Sequence, residues 1–276
     1  MSLIIDFHTH IGRYEMYQSW VQDLYDQNLG ADARAKLDEL LTPRGYAAYL
    51  EACGVDYACC LAEENPKTTG MIPNEWVAEF CAGQPRMIPF CNINPFLHAR
   101  PADTFAHCIK DLGMRGVKLM PGYQGYHAND RQMYPIYARA EEWQIPVLVH
   151  TGSSIFRGFR LRYANPLDLD DVAVDFPNLT IVMAHSGRGV WYDEAFFLAR
   201  LHQNVFMEVA GLPPQKLLDY FPELERLADK VIFGSDFPGG PDIKKNLDAV
   251  RALPLRDETK EKILGGNAAR ILGVVG

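Results

Sequence analysis

Nowhere in this chain of 276 residues does an apolar run approach the roughly 20 residues that a membrane-crossing helix needs. Positive charge is short as well: 27 Lys and Arg stand against 35 Asp and Glu, a net charge of −8. That balance argues against nucleic acid or an anionic membrane as the main partner. None of the six cysteines, Cys53, Cys59, Cys60, Cys81, Cys91 and Cys108, forms a Cys-x-x-Cys pair. Cys59, Cys60 and Cys91 lie in strand-like runs, where a reduced thiol behaves as a small apolar side chain. A zinc finger or a redox motif is set aside on that ground, and buried thiols suit a reducing compartment. The opening Met-Ser-Leu-Ile-Ile-Asp is too short and too acidic for a signal peptide. A cytoplasmic protein is therefore the expectation. With no repeat, low-complexity tract or linker visible, a single domain over residues 1–276 is expected.

What the chain does contain is an alternation of short apolar runs with longer helical stretches, the pattern of βα units on a parallel sheet. Eight strands are expected: Leu3–His8, Val55–Leu61, Met87–Ile93, Gly116–Met120, Val147–His150, Thr180–Ala184, Val205–Val209 and Val231–Gly234. They are apolar on both parities, as strands covered by helices must be. Eight units in this length favour a closed (β/α)8 TIM barrel over an open sheet. Helical periodicity lies between them, at Asp103–Asp111, Tyr134–Trp143, Val172–Phe176, Asp193–Leu201 and Pro214–Ala228. Thr259–Leu272 closes the chain, broken or bent at Gly265-Gly266-Asn267. Residues 12–43 exceed the minimal pattern. This insertion follows the first strand and carries Tyr14, Tyr17, Trp20 and Tyr25, which marks it as a lid or pocket wall.

Several strands end in residues that do not belong in a core. Ile4-Ile5-Asp6-Phe7-His8-Thr9-His10 opens the chain, and His150, His185 and Asp236 finish the fifth, sixth and eighth runs. Residues two apart on a strand share a side, so His8 and His10 reach one ion from a single strand end. A barrel gathers strand ends at one mouth, and the cluster reads as a divalent-metal site. Imidazole nitrogens and a carboxylate without thiolate suit zinc, with His8, His10, His150 and Asp236 as ligands. Zinc lowers the pKa of a bound water to about 7, and Asp236 is placed to take the proton. His185 is either a further ligand or a charged hydrogen-bond donor to the substrate.

These residues carry a resemblance. Asp6-Phe7-His8-Thr9-His10, Gly116-Val117-Lys118-Leu119, Val149-His150-Thr151-Gly152, Ala184-His185-Ser186-Gly187, Gly234-Ser235-Asp236-Phe237-Pro238 and the closing Ile263–Leu272 resemble the amidohydrolase superfamily. The likeness is narrower to the amidohydrolase-2 group, which includes the aminocarboxymuconate semialdehyde decarboxylase-like enzymes. It spans nearly the whole chain and implies a barrel with its ion at the C-terminal mouth. It also implies an ambiguity at Lys118. Two-metal members carboxylate a lysine on strand four to bridge their ions, and His150 and His185 would then hold the second. In one-metal members His150 joins His8 and His10, while His185 works on the substrate. Lys118 is then a substrate or supporting cation, or simply structural.

For the substrate, Arg157 and Arg160 follow the fifth strand and are candidates to grip a carboxylate in paired hydrogen bonds; a solvated basic loop is the alternative. Arg188 has a similar claim. Tyr123, Tyr126 and His127 are candidate pocket residues, or an ordinary turn. Glu208 reads as a buried partner of a nearby cation, and Trp191, Phe196 and Phe197 as packing. The leading expectation is a metal-dependent hydrolase of a small carboxylated amide or lactone, with Asp236 and His185 as catalytic residues. The alternative is a non-oxidative decarboxylase of a small unsaturated or aromatic acid. Decarboxylase-like members often carry Glu where this chain has His8, which tilts the balance toward hydrolysis. A metal-stabilised binding barrel without activity is a third reading. By the same resemblance a homodimer is expected.

Overall fold

The structure, a computed structural model, describes residues 2–30, 32–240 and 242–275. Among the described residues ten strands form, β1 (Ile5–His10), β2 (Tyr57–Leu61), β3 (Glu63–Asn65), β4 (Gly70–Ile72), β5 (Met87–Asn92), β6 (Gly116–Leu119), β7 (Val147–Gly152), β8 (Ile181–Arg188), β9 (Val205–Glu208) and β10 (Val231–Ile232). Eight of them pair in parallel in the order β1-β2-β5-β6-β7-β8-β9-β10. The ring closes just past β10. Phe7 N donates to Phe233 O (3.1 Å), Asp236 N to His8 O (3.0 Å) and His10 N to Phe237 O (2.7 Å). The expected (β/α)8 barrel is what forms.

Two cores follow from strand parity. One parity faces the helices, where Val117, Leu119, Val147, Val149, Val205 and Met207 are buried. The other fills the barrel, through Ile5, Phe7, Ile88, Phe90, Leu148 and Phe206 among others, and Ala268 and Leu272 of the final helix join this inner cluster. Local signals set the helix ends. Thr42 accepts a hydrogen bond from Gly45 N to start helix Pro43–Cys53, and left-handed Gly54 (φ 74°) ends it.

Three departures from the sequence expectation matter. The insertion is not a plain loop: it folds into helices Ser19–Leu29 and Ala33–Leu40. A hairpin, β3–β4, stands on the C-terminal end of β2 where no strand was expected. Pro214–Ala228 is not one helix but short turns around Leu217–Tyr220 and Leu224–Lys230, because Pro222 follows Tyr220-Phe221 and removes an amide donor. The tail bends without breaking, passing through one wide turn at Lys262–Gly266. A side chain on Gly265 would collide with Leu3 O there, so the glycine lets the tail close on the start of β1.

Candidate metal centre

Moving two residues up a barrel strand keeps the side and changes the chemistry. In β7 Leu148 gives way to His150, in β9 Phe206 to Glu208, and in β6 Gly116 to Lys118. All three polar successors are buried. In β1 and β8 the ladder itself is altered to turn side chains inward. Asp6 pairs with Ala58 but Thr9 with Cys60, so β1 holds an extra residue, and His8 and His10 both line the cavity although Phe7 belongs to the inner core. In β8 the register jumps between Ala184 and Arg188, across His185 (φ 63°) and Ser186 (φ 46°); Asp236 (φ 62°) shares that left-handed backbone. Such conformations are uncommon away from glycine and gather at functional sites.

The side chains converge. His8, His185 and Asp236 each offer a ligand atom within 4.8 Å of the others. Asp236 Oδ1 lies 3.6 Å from His8 Nε2 and 3.4 Å from His10 Nε2, and its Oδ2 lies 3.6 Å from Arg188 Nη1. The outer nitrogens are anchored behind them. His8 Nδ1 is hydrogen-bonded to Glu208 Oε2 at 3.2 Å and His185 Nδ1 donates to Ala210 O at 2.8 Å, while His10 Nδ1 makes an ionic contact with Glu63 Oε2 at 3.1 Å without hydrogen-bond geometry. This is how ligand imidazoles are held in the tautomer that presents a lone pair inward. His150 sits edge-on to His185 (4.6 Å between ring centres), and its buried Nε2 has no partner among the described residues. An orphaned His150 nitrogen beside the His8, His10 and His185 rings and a carboxylate is a donor set that fits a divalent ion.

Burial dominates the electrostatics. It pushes His8, His150 and His185 well below the ordinary histidine range, with neighbouring cations adding to the effect. His185 is thus a neutral ring, and the charged donor envisaged from sequence is not what its surroundings favour. Burial also lowers Lys118 to about 8, against the pull of Glu208, Asp236 and Glu63. Glu208 rises to about 8 for the same reason, although Lys118 and the backbone amides of His185 and Ala210 oppose it. Asp236 goes the other way. Burial raises its carboxyl, but the hydrogen bond with His10, a ring itself held protonated at about 9, and the nearby His185 and His8 hold it well below the usual range.

A cavity of about 820 Å³ opens above this cluster. Tyr123 lines it, packing edge-on to His150 and donating to Ser154 Oγ (2.7 Å). Lys118 is in the cluster itself, its Nζ 3.3 Å from His8 Nε2. Arg157 and Arg160 are not brought in. Both are exposed and neither lines the cavity; Arg157 lies over the Trp20 ring at 5.7 Å. The loop after β7 turns outward, and the guanidinium that reaches the site is Arg188, held by Nε and Nη2 on Ser153 O (3.2 and 2.9 Å). Tyr126 is buried away from the cavity, and His127 pairs with Asp168. Glu63 is the residue the sequence reading missed. Its only signal was a pair of carboxylates, Glu63-Glu64, directly beyond an apolar strand. At Gly211 (φ 65°) a side chain would strike Arg188 and come within 2.7 Å of Asp236 Oδ2, so that position must stay bare.

The family model described as Amidohydrolase (Amidohydro_2) matches residues 5–274. The chain belongs to that family. Among curated relatives of this amidohydrolase-family chain is a 2-keto-4-carboxy-3-hexenedioate hydratase from Sphingobium sp., 25% identical over 210 residues. That match covers 59% of this chain and 58% of the relative, so the likeness spans little more than half of either. A solved but uncharacterised TIM-barrel protein from Bordetella bronchiseptica is 28% identical, with a TM-score of 0.79 and 98% of each chain covered. A dihydroxybenzoic acid decarboxylase from Polaromonas sp., solved with manganese and 2-nitroresorcinol, shares the fold. Its TM-score is 0.73 at 17% identity, covering 99% of this chain and 97% of that one.

Proposed function

We propose that this chain is a metal-dependent hydrolase that activates water to open an amide or lactone of a small carboxylated substrate. The observation that carries the reading is the placement of Asp236, one oxygen between His8 and His10 and the other toward Arg188. His8, His10, His150 and Asp236, with His185 as a further donor, would hold the ion. A divalent ion bound there supplies Lewis acidity to a water and to a substrate carbonyl. Asp236, kept ionised, takes the proton of the attacking water and returns it to the leaving group. Neutral His185, fixed through Nδ1, keeps Nε2 facing the reacting atoms. Arg188, clamped on Ser153 O, leaves Nη1 to grip the substrate carboxylate. Tyr123 walls the cavity beside His150. On donor chemistry the ion is zinc, with manganese as the alternative that the decarboxylase of the same fold suggests.

A carboxy-lyase is the second reading, favoured by that neighbour, and water addition to an unsaturated acid is favoured by the hydratase relative. Protein stripped by a chelator and reloaded with zinc or manganese, assayed on lactones, amides and unsaturated and aromatic acids, separates the three. A new acid group that forms only after metal return supports hydrolysis. Released carbon dioxide, or water added across a double bond, replaces it with the corresponding lyase. Full activity in stripped protein defeats the metal reading. Intact-mass measurement decides the ion count, since added carbon dioxide on Lys118 accompanies a two-ion site only.

A further inference from the structure

One wall of the cavity is built outside the barrel, by the insertion and the β3–β4 hairpin pinned together. Gln18 N donates to Thr69 O (2.9 Å), Gln18 Nε2 to Pro66 O (2.7 Å) and Trp20 Nε1 to Thr68 O (2.6 Å). Tyr17 also bridges to Gly70 in an antiparallel pair. Two phenols enter the cavity from this wall. Tyr17 and Tyr25 pack edge-on at 5.3 Å between ring centres, and each is about nineteen-twentieths buried, at 5% and 4% exposed.

Tyr17 Oη has no partner at good hydrogen-bond geometry among the described residues, its polar neighbours being the Tyr25 hydroxyl and the Gly12 backbone. A buried hydroxyl in that state is unusual unless something that enters the cavity completes it. Glu63, the nearby carboxylate, is already engaged by Thr69, Asn65 and His10. Gly12 makes the room, since a Cβ there would stand 2.9 Å from Tyr17 Oη. Burial keeps both phenols protonated, so they act as donors. Their place in the ring matters most. The hairpin follows β2 and Arg188 ends β8, four positions away in a ring of eight. Phenols and guanidinium therefore face each other across the mouth, with the histidine cluster between them.

We propose that Tyr17 and Tyr25 form a subsite that donates hydrogen bonds to a second carboxylate of the substrate while Arg188 holds the first. The substrates are then small dicarboxylates, not simple monoacids. This rests on the assignment of Arg188 made above. Calorimetric titration of metal-loaded protein with α,ω-dicarboxylates from succinate to suberate, each against the straight-chain monoacid of equal carbon number, tests it. At the best length the diacid binds roughly tenfold tighter, the strength of a hydrogen bond to a charged group. Tyr17→Phe and Tyr25→Phe keep the rings, abolish most of that preference and leave monoacid affinity unchanged. Should Tyr17→Phe not fold, Tyr25→Phe carries the test. A wild-type protein without diacid preference at any length, or Phe variants that retain it, overturns the subsite. Arg188→Ala weakens both acids. If it weakens neither while the Phe variants behave as stated, the Arg188 assignment falls and the phenol subsite stands.

Discussion

Leu148 and His150 stand on the same side of the same strand, both buried, and they do opposite things. The storey of the barrel that contains Leu148, Phe206 and Ile88 is apolar and touches the closing helix through Ala268 and Leu272. Burial of each such side chain contributes about 1.5–3 kcal/mol. The storey that contains His150, Glu208 and Lys118 is buried just as deeply but ionisable, and burial shifts each of those groups toward its neutral form. One layer makes the barrel stable; the next holds polar groups in a place that stability alone would not choose. The lesson is that depth in this barrel does not distinguish packing from chemistry, whereas height along the strand does.

The sharpest way to break the contrast is in the upper storey. Asp236→Asn or His8→Ala should lower turnover by at least about 1,000-fold and empty the site of metal by elemental analysis, with the fold retained by circular dichroism. Variants that keep both metal and activity would remove the centre from this cluster. In the lower storey Leu148→Ala should cost about 2–5 kcal/mol in denaturant unfolding, while metal stoichiometry per folded molecule stays unchanged. Next in size is Glu63→Gln, which loosens the carboxylate behind His10 and should weaken metal affinity by about 10–100-fold; an unchanged dissociation constant would make Glu63 a packing residue only. His185→Ala should lose rate more than metal if one ion is bound.

The smallest effect is on pH. In metal-free protein His8, His150 and His185 sit well below 6.5, so the unfolded chain binds protons there that the folded chain refuses. These three groups on their own make stability fall as pH drops below about 6.5, while Glu208 at about 8 and Asp6 at about 7, both raised by burial, take up protons in the folded state and oppose them. His10, raised to about 9 by Asp236 and Glu63 against the opposing effect of burial, also favours the folded state as pH falls from 7 toward 6 and adds no slope near pH 5. In thermal melts of metal-free protein, His150→Gln should therefore fall less, or rise more, than the unsubstituted chain between pH 7 and 5; an unchanged pH dependence would reject that account.

Much of this was legible in the sequence, for a physical reason. Parallel barrel strands are apolar on both faces, so Val147–His150 and Gly116–Met120 read clearly and fall within two residues of β7 and β6. Helices at Asp103–Asp111, Tyr134–Trp143 and Asp193–Leu201 were equally plain from their periodicity, whereas the side-chain-capped Pro43–Cys53 and Ile243–Arg251 were not among the expected ranges. The hairpin at Glu63–Ile72 was not, because Glu63-Glu64-Asn65 alternates no apolar residues and is buried through polar contacts with Asn92, Thr69 and His10. Without it Glu63 had no address. Arg157 and Arg160 were placed by proximity in sequence, but loop direction is a tertiary property, and the turn at 153–160 carries them outward. That the adjacent Phe7 and His8 both turn inward, and that His185 is left-handed, depends on an extra residue and a backbone twist that no residue pattern announces.

The insertion grips the hairpin through Gln18 and Trp20. Such an arrangement makes the specificity wall a cassette, two neighbouring stretches of chain set on a scaffold that keeps the reactive groups. Exchange of residues 12–43 together with 64–72 for those of another barrel, with Glu63 kept behind His10, should retune which acids are accepted and leave the histidines where they are. The same grip means that swapping either stretch alone leaves its partner without a surface to lean on.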